Sequence, residues 1–269
     1  MAAVAQIRLN GHPTYAIISK RQGPALLFLH GGMSSCASML RSIGPYLRPY
    51  YNISAFDRRG HGRTADTEDE FHYDSMADET IAFIERLGKR VHVVGHSDGA
   101  IVALFVALRR PDLLRRVVAV GGNFHFDGLV TMEPFDLDGP GFDVWAQKYA
   151  THSPDGLAHA RTVVEKTLRL FATEPTLTAD DLARITLPVL VMAGDDEVIS
   201  LAHTCALYEA LPNSQLAIVP GTSHALLKER PKECAGLIRR YLRSKLPPVT
   251  YQPVRRAAAH QPGNDGAPN

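Results

Sequence analysis

This chain of 269 residues has few cysteines and almost no net charge. Its three cysteines, Cys36, Cys205 and Cys234, are an odd number at no metal-site spacing, which favours reduced thiols and a cytoplasmic protein. No apolar run approaches a membrane span, and residues 1–9 are too polar for a signal peptide. A net charge of +1, from 29 basic and 28 acidic residues, gives no reason to expect nucleic acid or a membrane as partner.

Apolar strand patterns alternate with helical patterns along most of the chain. The strand patterns are continuously apolar, as expected when helices cover both faces of a parallel sheet. We therefore predict an α/β fold with a mostly parallel, doubly wound sheet, entered through a hairpin that turns at Asn10-Gly11. The pattern places strands at 5–9, 14–19, 25–29, 53–56, 91–94, 116–120, 187–193 and 215–219. It places helices at 37–47, 75–87 (with Asp74 as N-cap), 99–109, 202–211 and 232–245.

The alternation breaks after the sixth strand, in residues 124–183. This stretch contains several prolines and glycines, the only tryptophan, and helical patterns near 143–150, 156–172 and 178–184. We predict a small helical cap there, inserted into a core formed by 1–123 and 184–246. Residues 247–269 are rich in Pro, Ala, Gly and Arg without periodicity, and we predict a disordered tail.

The most informative motif is Gly95-His96-Ser97-Asp98-Gly99. It lies between an apolar β-branched run and an apolar helical pattern, so it predicts a strand, a tight turn and a helix. A serine at such a turn projects its hydroxyl out of the fold from a strained backbone. The two glycines remove Cβ atoms that would collide where the strand and the helix pass closely.

Three further polar motifs follow apolar strands. His30-Gly31-Gly32-Met33 offers unobstructed backbone N–H groups of the kind that an oxyanion hole needs. The acidic run 195–197 and the segment 220–224, which ends in His224, come later. The order serine, acid, histidine, each beyond a strand end, resembles the α/β-hydrolase superfamily across residues 5–246. The turn at 56–63, with Asp57-Arg58-Arg59-Gly60-His61-Gly62, is similar to a turn common in these hydrolases.

The resemblance implies a catalytic triad with Ser97 as nucleophile and His224 as general base. The acid is left open between two neighbours. Asp196-Glu197-Val198-Ile199 fits the family's usual string with Asp196 as the acid, which we favour. Counting three residues from Gly194 gives Glu197 instead.

The resemblance also implies an oxyanion hole formed by the backbone N–H groups of Gly32 and Asp98, with Met33 as a neighbouring candidate. The side chain of Asp98 would then be free to bind substrate together with Met33. A carboxylate facing the pocket would attract an ammonium group, as in aminoacyl esters. The alternative is that Asp98 only stabilises the start of its helix.

The expected activity is that of a serine hydrolase that cleaves small carboxylic esters through an acyl-enzyme, without a cofactor or metal. The expected partner is therefore a small-molecule ester. Alternatives are lactone or carbon–carbon bond hydrolysis on the same triad, or a non-catalytic ligand receptor on this fold. A serine nucleophile argues against dehalogenases and epoxide hydrolases of this fold, which use aspartate. The sequence predicts neither the substrate nor the oligomeric state.

Overall fold

The fold is known from a computed structural model, which describes residues 2–130, 135–245, 248 and 250–255. In these ranges the sheet has eight strands in the order β1-β2-β4-β3-β5-β6-β7-β8. Strand β2 is antiparallel to both of its neighbours, and all pairings from β4 to β8 are parallel. The strands are β1 (Ala2–Leu9), β2 (His12–Ser19), β3 (Ala25–Leu29), β4 (Asn52–Phe56), β5 (Val91–His96), β6 (Leu114–Val120), β7 (Val189–Asp196) and β8 (Ser214–Ser223).

Helices cover both faces of the sheet, as its continuously apolar strands predict. In β3, for example, Leu27 and Leu29 face one apolar cluster while Leu26 and Phe28 face the other. The helices are α1 (Cys36–Ser42), α2 (Gly44–Leu47), α3 (Tyr73–Leu87), α4 (Asp98–Arg109), α5 (Pro140–Ala150), α6 (Ala160–Thr173), α7 (Ala179–Ala183), α8 (Leu201–Ala210), α9 (Leu226–Glu229) and α10 (Pro231–Arg243). The predicted fold class, a mostly parallel doubly wound sheet, is confirmed.

The helix predicted at 37–47 is divided into α1 and α2 at Ile43. Pro45 lies in the first turn of α2 and has no N–H for a helical hydrogen bond with the preceding turn. A second local prediction is also wrong: His72, not Asp74, is the N-cap of α3, and Asp74 lies within the first turn. The hairpin turn at Asn10-Gly11 is as predicted, with positive φ at both residues.

The segment between β6 and β7 contains α5, α6 and α7, so the insertion follows the sixth strand. We call it the cap; its residues 131–134 lie outside the described residues. Lys166 of α6 joins the cap to the loop after β4, because its buried Nζ donates to Asp66 Oδ2 at 2.9 Å and to Thr67 O at 2.6 Å. The boundaries of core and cap as separate domains stay a prediction.

Most of the tail predicted to be disordered, including 256–269, lies outside the described residues. Arg255 lies within them and donates to the carbonyl oxygens of Tyr208 at 2.9 Å and Leu211 at 2.7 Å. Its guanidinium also lies 4.3 Å from the centre of the Tyr208 ring. Arg255 is thus held against α8 and the residue that follows it, and the disordered tail stays a prediction.

Candidate active site

Ser97 occupies the sharp turn between β5 and α4, with φ 55° and ψ −123°. Positive φ is unfavourable for a residue with a Cβ, so the surrounding structure must hold this conformation. The flanking glycines are required sterically. A Cβ on Gly95 would lie 2.1 Å from the carbonyl oxygen of Gly99, and one on Gly99 would lie 2.1 Å from that of Leu29. The predicted elbow is therefore present, with Ser97 at its tip.

His224 lies just beyond the end of β8 and is paired with a carboxylate from the end of β7. Its Nδ1 is hydrogen-bonded to Glu197 Oε1, and the Glu197 side chain is fully buried. Glu197 also accepts a 2.9 Å hydrogen bond from the N–H of Val198. These contacts fix the position of the carboxylate and the orientation of the imidazole.

Asp196, which the sequence favoured as the acid, does not face His224. Strand β7 continues through Asp196, which pairs with Ser223 of β8 and is exposed. Asp195 is exposed too and accepts a hydrogen bond from the N–H of Thr222 at 3.1 Å. Because β7 continues three residues beyond Ala193, where its apolar run ends, Glu197 is the carboxylate that turns inward. Glu197, which the sequence offered as the alternative acid by counting three residues from Gly194, is therefore the residue that contacts His224.

Gly121, after β6, was not identified from the sequence but makes room for this pair. A Cβ there would lie 3.0 Å from His224 Nδ1 and 3.2 Å from Glu197 Oε2, and its φ is +57°. His96 supports the same loop from the other side, because its Nε2 donates to the carbonyl oxygen of His224 at 2.8 Å. Burial, with His224 nearby, lowers the pKa of His96 to about 4, so this ring is neutral and structural.

The loop after β3 is organised by His30, which is completely buried. The backbone N–H of Arg58 donates to His30 Nε2 at 3.2 Å, so Nδ1 carries the proton and donates to Gly31 O at 2.7 Å. Burial lowers the pKa of His30 well below its ordinary value, in keeping with this neutral tautomer. Further along, Met33 has φ 51°, and its carbonyl oxygen accepts a 2.9 Å hydrogen bond from Trp145 Nε1 of the cap.

Asp98 does not project into the pocket as the aminoacyl-ester prediction requires. Its side chain is 2% exposed and lies 3.5 Å from Arg58 Nη2, and Tyr73 Oη donates to it at 3.3 Å. Its Oδ2 packs so closely on Gly32 that a Cβ there would lie 2.7 Å away. Burial raises the pKa of the Asp98 carboxyl, while the Arg58 charge opposes that shift. Asp98 is thus a buried structural carboxylate behind the glycine loop.

A cavity of about 460 Å³ lies over the elbow, a size suited to a small molecule. Ser97 and His224 line it together with Met33, and the cap contributes Trp145 and Tyr149. The two residues predicted to do the chemistry therefore share one cavity, which the cap covers in part. Met33 also lines the cavity, and its contact with substrate stays a prediction.

Two further properties of the described residues bear on the site. No helix among them is both long and apolar enough to cross a membrane. In the same residues, no group of three or more His, Cys, Asp or Glu side chains is arranged to hold a metal ion.

The sheet order, the elbow serine and the insertion after β6 are the features of one class of enzyme folds, the α/β hydrolases. The sequence model of the α/β hydrolase family matches residues 26–237. The chain belongs to this family.

Relatives and solved structures agree with this membership. The chain is 29% identical over 223 residues to the "putative carbamate hydrolase RutD" of Stutzerimonas stutzeri, covering 74% of this chain and 84% of that protein. It is 25% identical over 253 residues to the 2-(acetamidomethylene)succinate hydrolase of Mesorhizobium japonicum, covering 82% and 89%. The crystal structure of a serine hydrolase involved in carbazole degradation, the CarC enzyme, superposes with a TM-score of 0.73 at 19% identity, covering 90% of this chain and 99% of that one. The relatives support hydrolase activity, and the solved structure supports the fold.

Proposed function

We propose that this protein is a serine hydrolase that cleaves small carboxylic esters through an acyl-enzyme. The observation that carries the proposal is the arrangement of Ser97, His224 and Glu197 at the ends of β5, β8 and β7. The serine and the histidine face one cavity, and the histidine is oriented by a buried carboxylate. This combination of nucleophile, base and orienting acid supports an acyl-transfer reaction.

In the proposed mechanism, His224 Nε2 takes the proton of the Ser97 hydroxyl as its oxygen attacks the ester carbonyl. Glu197 holds the proton of Nδ1 and stabilises the imidazolium that forms. Backbone N–H groups of Asp98 and Gly32, with Met33 as the neighbouring candidate, bind the oxyanion of the tetrahedral intermediate. Collapse releases the alcohol, which receives its proton from His224.

The second half of the reaction uses the same groups. Water takes the place of the alcohol, and His224 accepts a proton from it as it attacks the acyl group on Ser97. Breakdown of the second tetrahedral intermediate releases the carboxylic acid and returns the proton to Ser97. The proposed reaction uses only these residues and water.

Hydrolysis of 4-nitrophenyl acetate by wild type and Ser97→Ala tests the proposal. We expect clear turnover by wild type and a loss of at least about a thousandfold in Ser97→Ala, because the nucleophile is gone. Ser75→Ala, a serine of α3 outside the cavity, serves as control and should retain wild-type turnover. A folded wild type without turnover on any ester of a panel of rising acyl length would favour the ligand-receptor alternative.

Carbamate hydrolysis is a second candidate, because the RutD relative is named for it. The same nucleophile and base would attack a carbamate carbonyl. A matched pair, 4-nitrophenyl acetate and 4-nitrophenyl carbamate, separates the two candidates. A larger kcat/KM for the carbamate, after division by each compound's uncatalysed rate, would favour the carbamate activity.

A further inference from the structure

The cavity over the elbow is lined by charges of one sign. Its charged lining residues are Arg41, Lys148 and Lys228, and no Asp or Glu side chain is among the described residues that line it. The whole chain is almost balanced, with 29 basic and 28 acidic residues, so this asymmetry is local. The prediction of an ammonium-bearing substrate required the opposite sign.

The three cations come from separate walls of the cavity. Arg41 lies on α1, Lys148 on the cap helix α5, and Lys228 on α9, four residues after His224. In the described part of the chain, none of the three forms an ion pair with an acidic side chain. They are exposed at the rim, where they remain solvated until a ligand arrives.

Three carboxylates that are bonded to site residues or directly follow them in the chain are occupied elsewhere. Glu197 is bonded to His224, and Glu229 accepts hydrogen bonds from the N–H and the hydroxyl of Ser223 at 2.8 and 2.7 Å. Asp98 is buried against Arg58. These contacts leave the rim cations without a neutralising partner from the lining.

The wall that carries Arg41 also offers hydroxyl donors. Ser38 and Arg41 are three residues apart on α1, so their side chains lie on the same side of the helix, and both line the cavity. Ser34, just before α1, lines it too. Within the described residues, the Ser34 and Ser38 hydroxyls form no hydrogen bond with another protein group. A guanidinium beside free hydroxyls is a set of donors suited to a carboxylate.

We propose, building on the esterase function proposed above, that the substrate carries a carboxylate away from the bond that is cleaved. Arg41, Lys148 and Lys228 attract this group, and the donors on α1 bind it. A cleft lined by one sign of charge raises the local concentration of oppositely charged substrate and its rate of association, more so at low salt. We therefore expect a higher kcat/KM for an anionic substrate than for a neutral one, and we expect this difference to decrease as salt is added.

Two matched ester pairs test the proposal on either side of the scissile bond. The first is 4-acetoxybenzoate against 4-acetoxybenzamide, in which the leaving group carries or lacks the charge. The second is mono(4-nitrophenyl) adipate against its methyl ester, in which the acyl chain carries or lacks the charge. Each kcat/KM is divided by the uncatalysed rate of the same compound, which removes differences in intrinsic reactivity.

We expect the anionic member of at least one pair to be preferred by about tenfold or more at low salt, falling severalfold in 0.5 M NaCl. The Arg41→Gln, Lys148→Gln and Lys228→Gln variants should each lower this ratio, and the triple variant should bring it close to one. Lys20→Gln is the control. This exposed lysine directly follows β2, at the end of the sheet opposite the cavity, so its substitution should leave the ratio unchanged.

Equal use of charged and neutral esters in both pairs, without a salt effect, would overturn the anionic-substrate proposal while leaving the esterase function intact. No turnover of any of the four esters, together with no labelling of Ser97 by a fluorophosphonate, would instead overturn the proposed function itself.

Discussion

His224 Nδ1 and Glu197 Oε1 are hydrogen-bonded across the ends of β8 and β7. The pairing depends on β7 continuing to Asp196, which directs the next side chain inward, and on Gly121, whose missing Cβ leaves space for both groups. A buried carboxylate on Nδ1 fixes the tautomer that leaves Nε2 free to accept a proton. The relationship thus links strand length, packing and the proposed proton transfer.

The first prediction concerns this carboxylate. Glu197→Gln should slow ester turnover on the order of 10²- to 10⁴-fold, because an amide cannot stabilise the imidazolium. Asp196→Asn, one residue away and exposed, is the matched control and should change turnover less than about twofold. Steady-state kinetics on 4-nitrophenyl acetate measures both, and the reverse pattern would restore Asp196 as the acid.

A second prediction concerns the buried pair of Arg58 and Asp98 behind the glycine loop. Asp98→Asn leaves the Arg58 charge buried without a counterion and should lower the free energy of unfolding by about 3–5 kcal/mol. The double variant Arg58→Met/Asp98→Asn should lose less than the sum of the two single variants, because no unpaired charge remains. Urea unfolding of wild type, Arg58→Met, Asp98→Asn and the double variant completes the cycle. Strictly additive losses of unfolding free energy would show that the two groups are not coupled.

A third prediction compares two ion pairs that join α6 of the cap to the same loop of the core. Lys166 and Asp66 are only 5% and 2% exposed, whereas Arg169 and Glu70 are 55% and 49% exposed. Lys166→Met should therefore lower the free energy of unfolding by about 3–5 kcal/mol. Arg169→Met should cost about 1 kcal/mol or less. Equal losses in urea unfolding would mean that burial does not set the strength of the cap's attachment.

A fourth prediction concerns pH and His92, a buried residue of β5. Burial, with Arg116 and Arg115 nearby, lowers its pKa to about 4, whereas an unfolded histidine titrates near 6.5. Between these values the unfolded chain binds a proton that the folded protein excludes, so stability falls as the pH is lowered through that window. In His92→Phe the loss of unfolding free energy between pH 7 and pH 4.5 should be smaller by about 1–3 kcal/mol.

The control for this measurement is His152→Phe at an exposed histidine, which should follow the wild-type pH dependence. Carboxyl groups whose pKa burial raises, such as that of Glu79, act in the opposite direction. They are present in all three proteins and cancel in the comparison. If His92→Phe lost as much unfolding free energy between pH 7 and pH 4.5 as wild type, the His92 imidazole would not be excluded from protonation in the folded wild type.

The sequence was sufficient for the elbow because its signals are local. Gly95, Ser97 and Gly99 lie within five residues, and the flanking strand and helix patterns fix their context. The succession of strands and helices and the position of the insertion follow from alternation along the chain in the same way. The loop with His224 was found because it directly follows an apolar strand.

The wrong predictions depend on contacts between distant segments. The apolar run of β7 ends at Ala193, but pairing with β8 carries the strand on to Asp196 and moves the inward position to Glu197. Asp98 appeared free to bind substrate because nothing in the local sequence shows that Arg58, forty residues earlier, is buried against it. Such pairings are decided by tertiary packing, which a single sequence does not display.

Labelling with a fluorophosphonate, followed by intact mass and peptide mapping, tests the central claim most directly. The claim is that Ser97 is a nucleophile activated by His224. We predict one covalent adduct per chain, on Ser97, no adduct in Ser97→Ala, and labelling slowed by about a hundredfold or more in His224→Ala, because the hydroxyl loses its base. Absence of an adduct in folded wild type, or an adduct that persists in Ser97→Ala, would contradict the account.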